Sequence, residues 1–296
     1  MSVSFTFPSG LGNQPAPLLS GKPRALGRGK RLVVTGVVIA LGLALTIRIA
    51  TSGAINWSVV RSFSFHAAIL DGLWMTLELT ALSMVIGVVL GTLLAVMAIS
   101  RYPAVKAASR LYVWLFRGTP LLVQLIFWFN IALVFPVIGI GLWQIPINSL
   151  VTPFAAALLG LGLNEAAYMA EIVRAGINSV DKGQSEAAVS VGLTDTQVMS
   201  HIVLPQALKV ITPPTANQTI GMLKNTSLVS VIGAQELLTK TEDIYARNFQ
   251  VIELLIVASL WYLALTTVAS GFQYWLEHRL GDGSAPNLAL KVEVQS

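Results

Sequence analysis

Apolar residues are concentrated in long uninterrupted runs along this chain, separated by short polar stretches. Runs close to the roughly twenty residues that cross a bilayer occur about six times. They lie near residues 32–50, 72–99, 119–138, 152–173, 209–234 and 252–276. Each run predicts a membrane-spanning helix. Extended period-two alternation is absent, which argues against a β-barrel. The pattern therefore predicts an all-α membrane protein.

Composition strengthens that reading. The chain is 54% hydrophobic and 11% charged, whereas soluble domains carry roughly 25% charged residues. So few charges cannot cover a water-facing surface.

Charge placement predicts orientation, because cytoplasmic loops collect Lys and Arg near the ends of spans. Residues 1–31 carry Lys22, Arg24, Arg28, Lys30 and Arg31 with no acid, and read as a disordered cytoplasmic tail. Arg101, Lys106, Arg110 and Arg117 follow the second run, again a cytoplasmic signature. Residues 139–151 carry no charge and 236–247 lean acidic through Glu236, Glu242 and Asp243, so both belong outside. Six spans return His278, Arg279 and the tail 279–296 to the cytoplasm. The excess of 19 basic over 14 acidic residues is thus topological, and no nucleic-acid partner is expected. The run 32–50 follows basic residues as a signal peptide would. It contains Arg48 and lacks a small-residue cleavage site, so it reads as a retained extra span.

Nothing in the chain points to chemistry of its own. There is no cysteine, and the three histidines, His66, His201 and His278, are far apart. No G-x-x-x-x-G-K-[ST] loop is present to bind ATP. No catalytic residue, cofactor or metal is expected.

Residues 176–208 break the apolar pattern on the side assigned to the cytoplasm. Ser185 to Val191 is compatible with a helix, and Gly192 is placed to end it in a left-handed conformation. Thr194 and Gln197 then form a T-x-x-Q capping box. Val198, Met199, Ile202 and Val203 recur at helical steps, giving one apolar side, and Pro205 is expected to end that helix. Helices this short persist only when packed, either on this chain, on lipid, or on a partner.

The letters of this loop are specific. Glu186-Ala187-Ala188, Gly192, Ile202 and Leu204-Pro205 match the EAA loop of the membrane subunits of bacterial ABC importers. "FRGTPLLVQ" (116–124), "AAYMAEIVRAGI" (166–177) and "KNTSLVSVIG" (224–233) are similar to polar amino acid permeases of the histidine/glutamine type. The resemblance covers roughly residues 68–278. It departs at the N-terminus, where many members have five spans and begin outside.

The resemblance implies a type I ABC importer permease in a bacterial inner membrane. Glu186, Ala187, Ala188, Gly192 and Leu193 would dock on an ATPase subunit. The implied partners are two ATPase subunits, a solute-binding protein, a second permease subunit (the same chain or a homologue), membrane lipid and an amino acid substrate.

Ionisable groups within a bilayer are costly unless paired or facing a cavity. Glu78, Glu165 and Lys224 are the most embedded by position. Asn164, Tyr168 and Glu171 share a helical face, with Glu165 beside it. Glu165 could take a substrate ammonium, and Lys224, Asn225 or Thr226 its carboxylate; Gln124 is a further lining candidate. Alternatively, Glu165 and Lys224 pair structurally. Glu171 and Arg174 read as an intrahelical ion pair, and Arg117 as a headgroup anchor. Two other function classes stand beside the importer. An ion-coupled secondary transporter would show inverted repeats with interrupted helices, and none is visible. A non-transporting anchor would leave the buried charges unexplained.

Overall fold

The computed structural model describes residues 28–51, 53–140 and 143–281, so residues 1–27 and 282–296 of the two expected tails lie outside the described residues. The chain divides into two units, Met1–Ile55 and Asn56–Ser296. The first contributes helix α1, Arg28–Ala50. Its apolar stretch Leu32–Arg48 is about 25 Å long at 1.5 Å per residue, slightly under the hydrocarbon thickness of about 30 Å.

The second unit begins with the short α2, Trp57–Phe63, and the long α3, Ala67–Ile99. Then come α4, Pro103–Gly118, and α5, Leu121–Phe129. A hairpin of β1, Val137–Ile140, and β2, Trp143–Pro146, pairs antiparallel, and one helical turn, α6, Ile147–Leu150, follows it. Helix α7 spans Pro153–Asn178, and α8, Lys182–Ser190, is followed by the single turn α9, Asp195–Gln197. A wide π-type segment, Val198–Val203, runs into α10, Leu204–Asn225. After a tight 3₁₀ segment, Thr226–Ile232, come α11, Leu237–Asn248, and α12, Val251–Gly281.

Among the described residues, three helices are long and apolar enough to cross a membrane: Ala67–Ile99, Pro153–Asn178 and Val251–Arg279. A further pair, α4 and α5, is long and apolar enough together but is sharply bent, as in a broken span or a re-entrant loop. Helices α4 and α5 meet at 102°, so the expected straight run 119–138 does not form. Pro120 has no N–H to continue a helix and its ring forces the preceding residue into extended backbone; Thr119 accordingly has φ −115° and ψ 144°. Helix α10 carries Pro213, Pro214, Asn217 and Gln218, and is the most polar of the expected spans.

Helix α7 is the axis of the unit, with 67% of its most apolar stretch buried against 22% for α12. Glycines bring α3 against it. A Cβ on Gly91 would lie 2.5 Å from Met169 Cβ, and one on Gly162 would lie 2.8 Å from Ile86 Cγ2. In lipid, where apolar contact with neighbours gives no hydrophobic drive, such close packing supplies the association. Leu79, Met84, Leu125, Leu161, Met222 and Val229 form the main core beside this seam.

Glu236, expected in an exposed outer loop, is fully buried. It caps α11 by accepting from the Thr239 N–H (2.9 Å) and also accepts from the Tyr262 hydroxyl (2.5 Å). A carboxylate at a helix N-terminus satisfies free N–H groups and the helix dipole together, so Glu236 pins α11 to α12.

Candidate functional site

Two places concentrate the expected functional residues. The first is the polar loop. Asp181 caps α8 by accepting from Gly183 N–H at 2.6 Å. The helix ends where Gly192 takes φ +92°, a left-handed conformation that glycine adopts at least cost. Gly192 N–H donates to Val189 O (3.0 Å) and Leu193 N–H to Ala188 O (3.1 Å), the paired bonds of a Schellman turn. The capping box forms: Thr194 N–H donates to Gln197 Oε1 at 2.9 Å, and Gln197 N–H to Thr194 Oγ1 at 3.4 Å.

Side-chain direction divides the five loop candidates. Ala188 is buried with Val198 and Val203, and Leu193 packs against them. Glu186, Ala187 and Gly192 are exposed. Ala188 and Leu193 therefore hold the loop's shape, while Glu186, Ala187 and Gly192 lie on its exposed face. The expected stop at Pro205 does not occur. Leu204 N–H bonds back five residues to Met199 O, and Pro205 falls in the first turn of α10, where a missing N–H costs nothing. Replacing Thr194 by alanine should destabilise this turn by about 1 kcal/mol, read as faster amide exchange over residues 195–200.

The second place is a cavity of 530 Å³ where the α4–α5 break faces α7 and α10, with Arg117, Thr119, Asn164, Glu165, Tyr168, Gln218 and Asn225 on its wall. Glu165 is buried, and Gln218 Nε2 donates to both its oxygens, at 3.2 and 3.4 Å. No cation lies within ion-pair distance of Glu165 among the described residues. Arg117 sits over the Tyr168 ring, 5.2 Å from its centroid, and 3.9 Å from Glu171, whose carboxylate is held more closely by Arg174 at 2.6 Å. The wall thus offers a buried carboxylate with a neutral partner and a loosely engaged guanidinium. The wall therefore carries two poles of opposite sign.

The expected lining residues separate. Gln124 is buried, but its amide donates to Thr119 Oγ1 (2.7 Å), Phe116 O (2.8 Å) and Thr119 O (3.2 Å). Asn164 donates to Phe116 O (3.0 Å) and Gln124 Oε1 (3.2 Å). Both amides satisfy carbonyls freed at the helix break, so Gln124 braces the site from behind. Gln124→Leu should lower the thermal stability of the solubilised protein, because carbonyls left unpaired cost about 1–3 kcal/mol.

Lys224 is exposed and does not approach Glu165, so the structural pair considered from the sequence does not form. Thr226 is buried and its hydroxyl donates to Leu223 O at 2.8 Å; only Asn225 of that triplet reaches the wall. Gln218 was not anticipated, although an Asn-Gln pair inside an apolar run is a visible signal. Arg117, read from the sequence as a headgroup anchor, also lies on the cavity wall. Glu78 is exposed on α3, away from the cavity. A separate groove of 440 Å³ between α3, α7, α10 and α12 is apolar; the Thr212, Thr215 and Thr219 hydroxyls along it bond carbonyls of their own helix. It offers nothing to a zwitterion.

Comparison with known proteins shows the family. Residues 84–282 match the family described as binding-protein-dependent transport system inner membrane component. The chain is 41% identical over 280 residues to the arginine transport system permease protein ArgU of Corynebacterium glutamicum, covering 94% of this chain and 88% of that protein. It is 37% identical to the L-cystine transport system permease protein TcyB of Bacillus subtilis, covering 77% and 92%. A solved amino acid ABC transporter with histidines superposes with a TM-score of 0.64 at 37% identity, over 72% of this chain and 94% of that one.

Proposed function

Because this chain belongs to the inner-membrane component family of binding-protein-dependent transport systems, as an amino acid ABC permease subunit and not an enzyme, we propose how it works. A separate ATPase drives it through the exposed face of α8, and an external binding protein feeds the cavity at Glu165. The observation that carries the mechanism is the buried Glu165 carboxylate, whose only hydrogen-bond partner among the described residues is Gln218.

An unpaired carboxylate away from bulk water is unfavourable, and a ligand ammonium compensates it. The permeases similar to this one are named for arginine and for cystine, so the group they share is the α-amino acid unit. Glu165 takes the α-ammonium, and Arg117, held against Tyr168, takes the α-carboxylate.

Glu78 and Lys224 are exposed on the single protomer. A charge facing hydrocarbon is costly, so these surfaces face a second permease subunit or the water of a pathway between the two. The α8 end of the bundle is cytoplasmic, by the basic residues around it. ATP-driven closure of two ATPase subunits moves the paired loops, and the spans alternate between inward- and outward-facing states. An ion-coupled carrier would leave the ordered, exposed loop around Glu186 without a role.

Co-purification tests this reading. The chain is expressed with its candidate ATPase as wild type, Glu186→Lys and Gly192→Asp. The complex should survive in wild type and be lost in both variants, the first by charge reversal on the open face, the second by straining a position with φ +92°. A complex that ignores both changes removes the loop from the docking role.

A further inference from the structure

A second polar cleft opens at the α8 end of the bundle, between α4 and the last turns of α7. It has a volume of 570 Å³, and its charged wall is Lys106, Arg110, Arg117 and Arg174 against the single carboxylate of Glu171. Arg174 occupies that carboxylate through Nε (3.2 Å) and Nη2 (2.6 Å). Lys106 and Arg110 are left with no carboxylate within ion-pair distance among the described residues. The cleft therefore carries uncompensated positive charge.

Helix α4 is fixed in the position that presents these cations. Its inner side is tied down by Ser109 Oγ donating to Leu94 O (2.7 Å) and Tyr112 Oη donating to Leu163 O (2.9 Å). Lys106, Arg110 and Arg117 recur at steps of four and seven, one face of the helix. Trp114, also on the cleft wall, is 70% exposed, and the neighbouring Leu111 is 61% exposed. Large exposed apolar groups next to a row of cations are the pattern of a helix lying at the headgroup level of a membrane.

We propose that this cleft binds the phosphate of an anionic lipid headgroup, with Lys106 and Arg110 as its principal contacts and the acyl chains lying along Trp114 and Leu111. A free phosphate would match the cations equally well, but it would leave the apolar edge of the cleft against water. The lipid satisfies both halves of the site. Bound there, it bridges α4 to α7 beside Arg117, which also forms part of the wall of the Glu165 cavity. The inference uses the membrane placement of the chain and is independent of the ATPase docking assignment.

The test is lipid retention by the full chain, purified in mild detergent and titrated with phosphatidylglycerol or phosphatidylcholine, with bound lipid read by native mass spectrometry. Wild type should hold one phosphatidylglycerol in preference to phosphatidylcholine. K106Q/R110Q should weaken that binding about thirtyfold, the equivalent of about 1 kcal/mol for each basic residue at an anionic surface. K106R/R110K, which keeps both charges, should restore it and report that loss does not come from misfolding. K182Q/K209Q, which removes two exposed cations elsewhere on the chain, should leave retention unchanged. Equal retention in K106Q/R110Q and wild type overturns the site. Equal loss in K182Q/K209Q reduces it to general surface charge and also overturns it. Displacement of the lipid by millimolar inorganic phosphate assigns the cleft to free phosphate and overturns the lipid source. ATPase co-purification that persists in K106Q/R110Q keeps this result separate from the docking test.

Discussion

Gly91→Leu is expected to leave little folded protein in the membrane. Even a bare Cβ at that position would lie 2.5 Å from Met169 Cβ and 2.9 Å from Ala166 O. The carbonyl belongs to the backbone of α7 and cannot swing aside as a side chain can. Overpacking a close-packed contact ordinarily costs about 1–3 kcal/mol, and leucine adds three more carbons at a seam where two backbones touch. The expected cost is therefore at or above the top of that range. Thermal unfolding of the solubilised chain and the yield in the membrane fraction both measure it. An unchanged unfolding midpoint would mean that α3 and α7 do not meet at Gly91.

Gly87 provides a graded comparison on the same helix. A Cβ there would lie 2.5 Å from Glu165 Cγ and 2.9 Å from its Cβ, so the obstacle is a side chain. Gly87→Ala should cost less stability than Gly91→Leu, because it adds a single carbon and the nearest obstacle, Glu165 Cγ, can rotate away, leaving only the Cβ contact for the backbone to relieve. The same movement takes Glu165 away from Gln218, so transport should suffer more than folding does.

Glu165→Gln is expected to abolish most uptake while leaving the complex assembled. The substitution keeps the shape of the side chain and its contact with Gln218, and removes the charge proposed to meet the ammonium. Removing one partner of a buried charge pair costs about 2–5 kcal/mol, which corresponds to a half-saturating concentration raised about thirtyfold or more. Uptake into vesicles at increasing amino acid concentration reads that shift directly. Uptake indistinguishable from wild type would make Glu165 a structural residue, and the Arg117–Tyr168 pair would then need a different role.

The most legible part of this protein was also its most local part. The loop 176–208 is specified by neighbours in sequence: Asp181 and Thr194 accept from N–H groups two or three residues on, and Gly192 supplies one backbone conformation. The importer resemblance rested on letters in that same stretch. Membrane character and the order of the apolar segments were equally readable, because hydrophobic length is a property of the chain alone. Gly87 and Gly91 were not singled out from the sequence, because their spacing says nothing by itself about which helix packs against them.

Other features depended on distance through space. The 102° turn between α4 and α5 follows from Pro120 locally, yet only the fold brings Gln124 and Asn164 to the carbonyls that the turn exposes. Lys224 and Gln218 lie on one helix, six residues apart; the rotation of α10 about its axis decides that Gln218 meets Glu165 and Lys224 does not. Arg117 and Glu171 belong to separate helices, and the packing of α4 on α7 makes them walls of one cleft. Pro205 shows the converse, a local stop signal overridden because a widened turn absorbed the missing donor. Sequence by itself determined the elements that rest on neighbouring residues, such as the capped turns of the loop and the long apolar helices α3, α7 and α12. The tertiary structure alone decided which polar groups meet, because a buried charge is defined by partners that the chain supplies from far away.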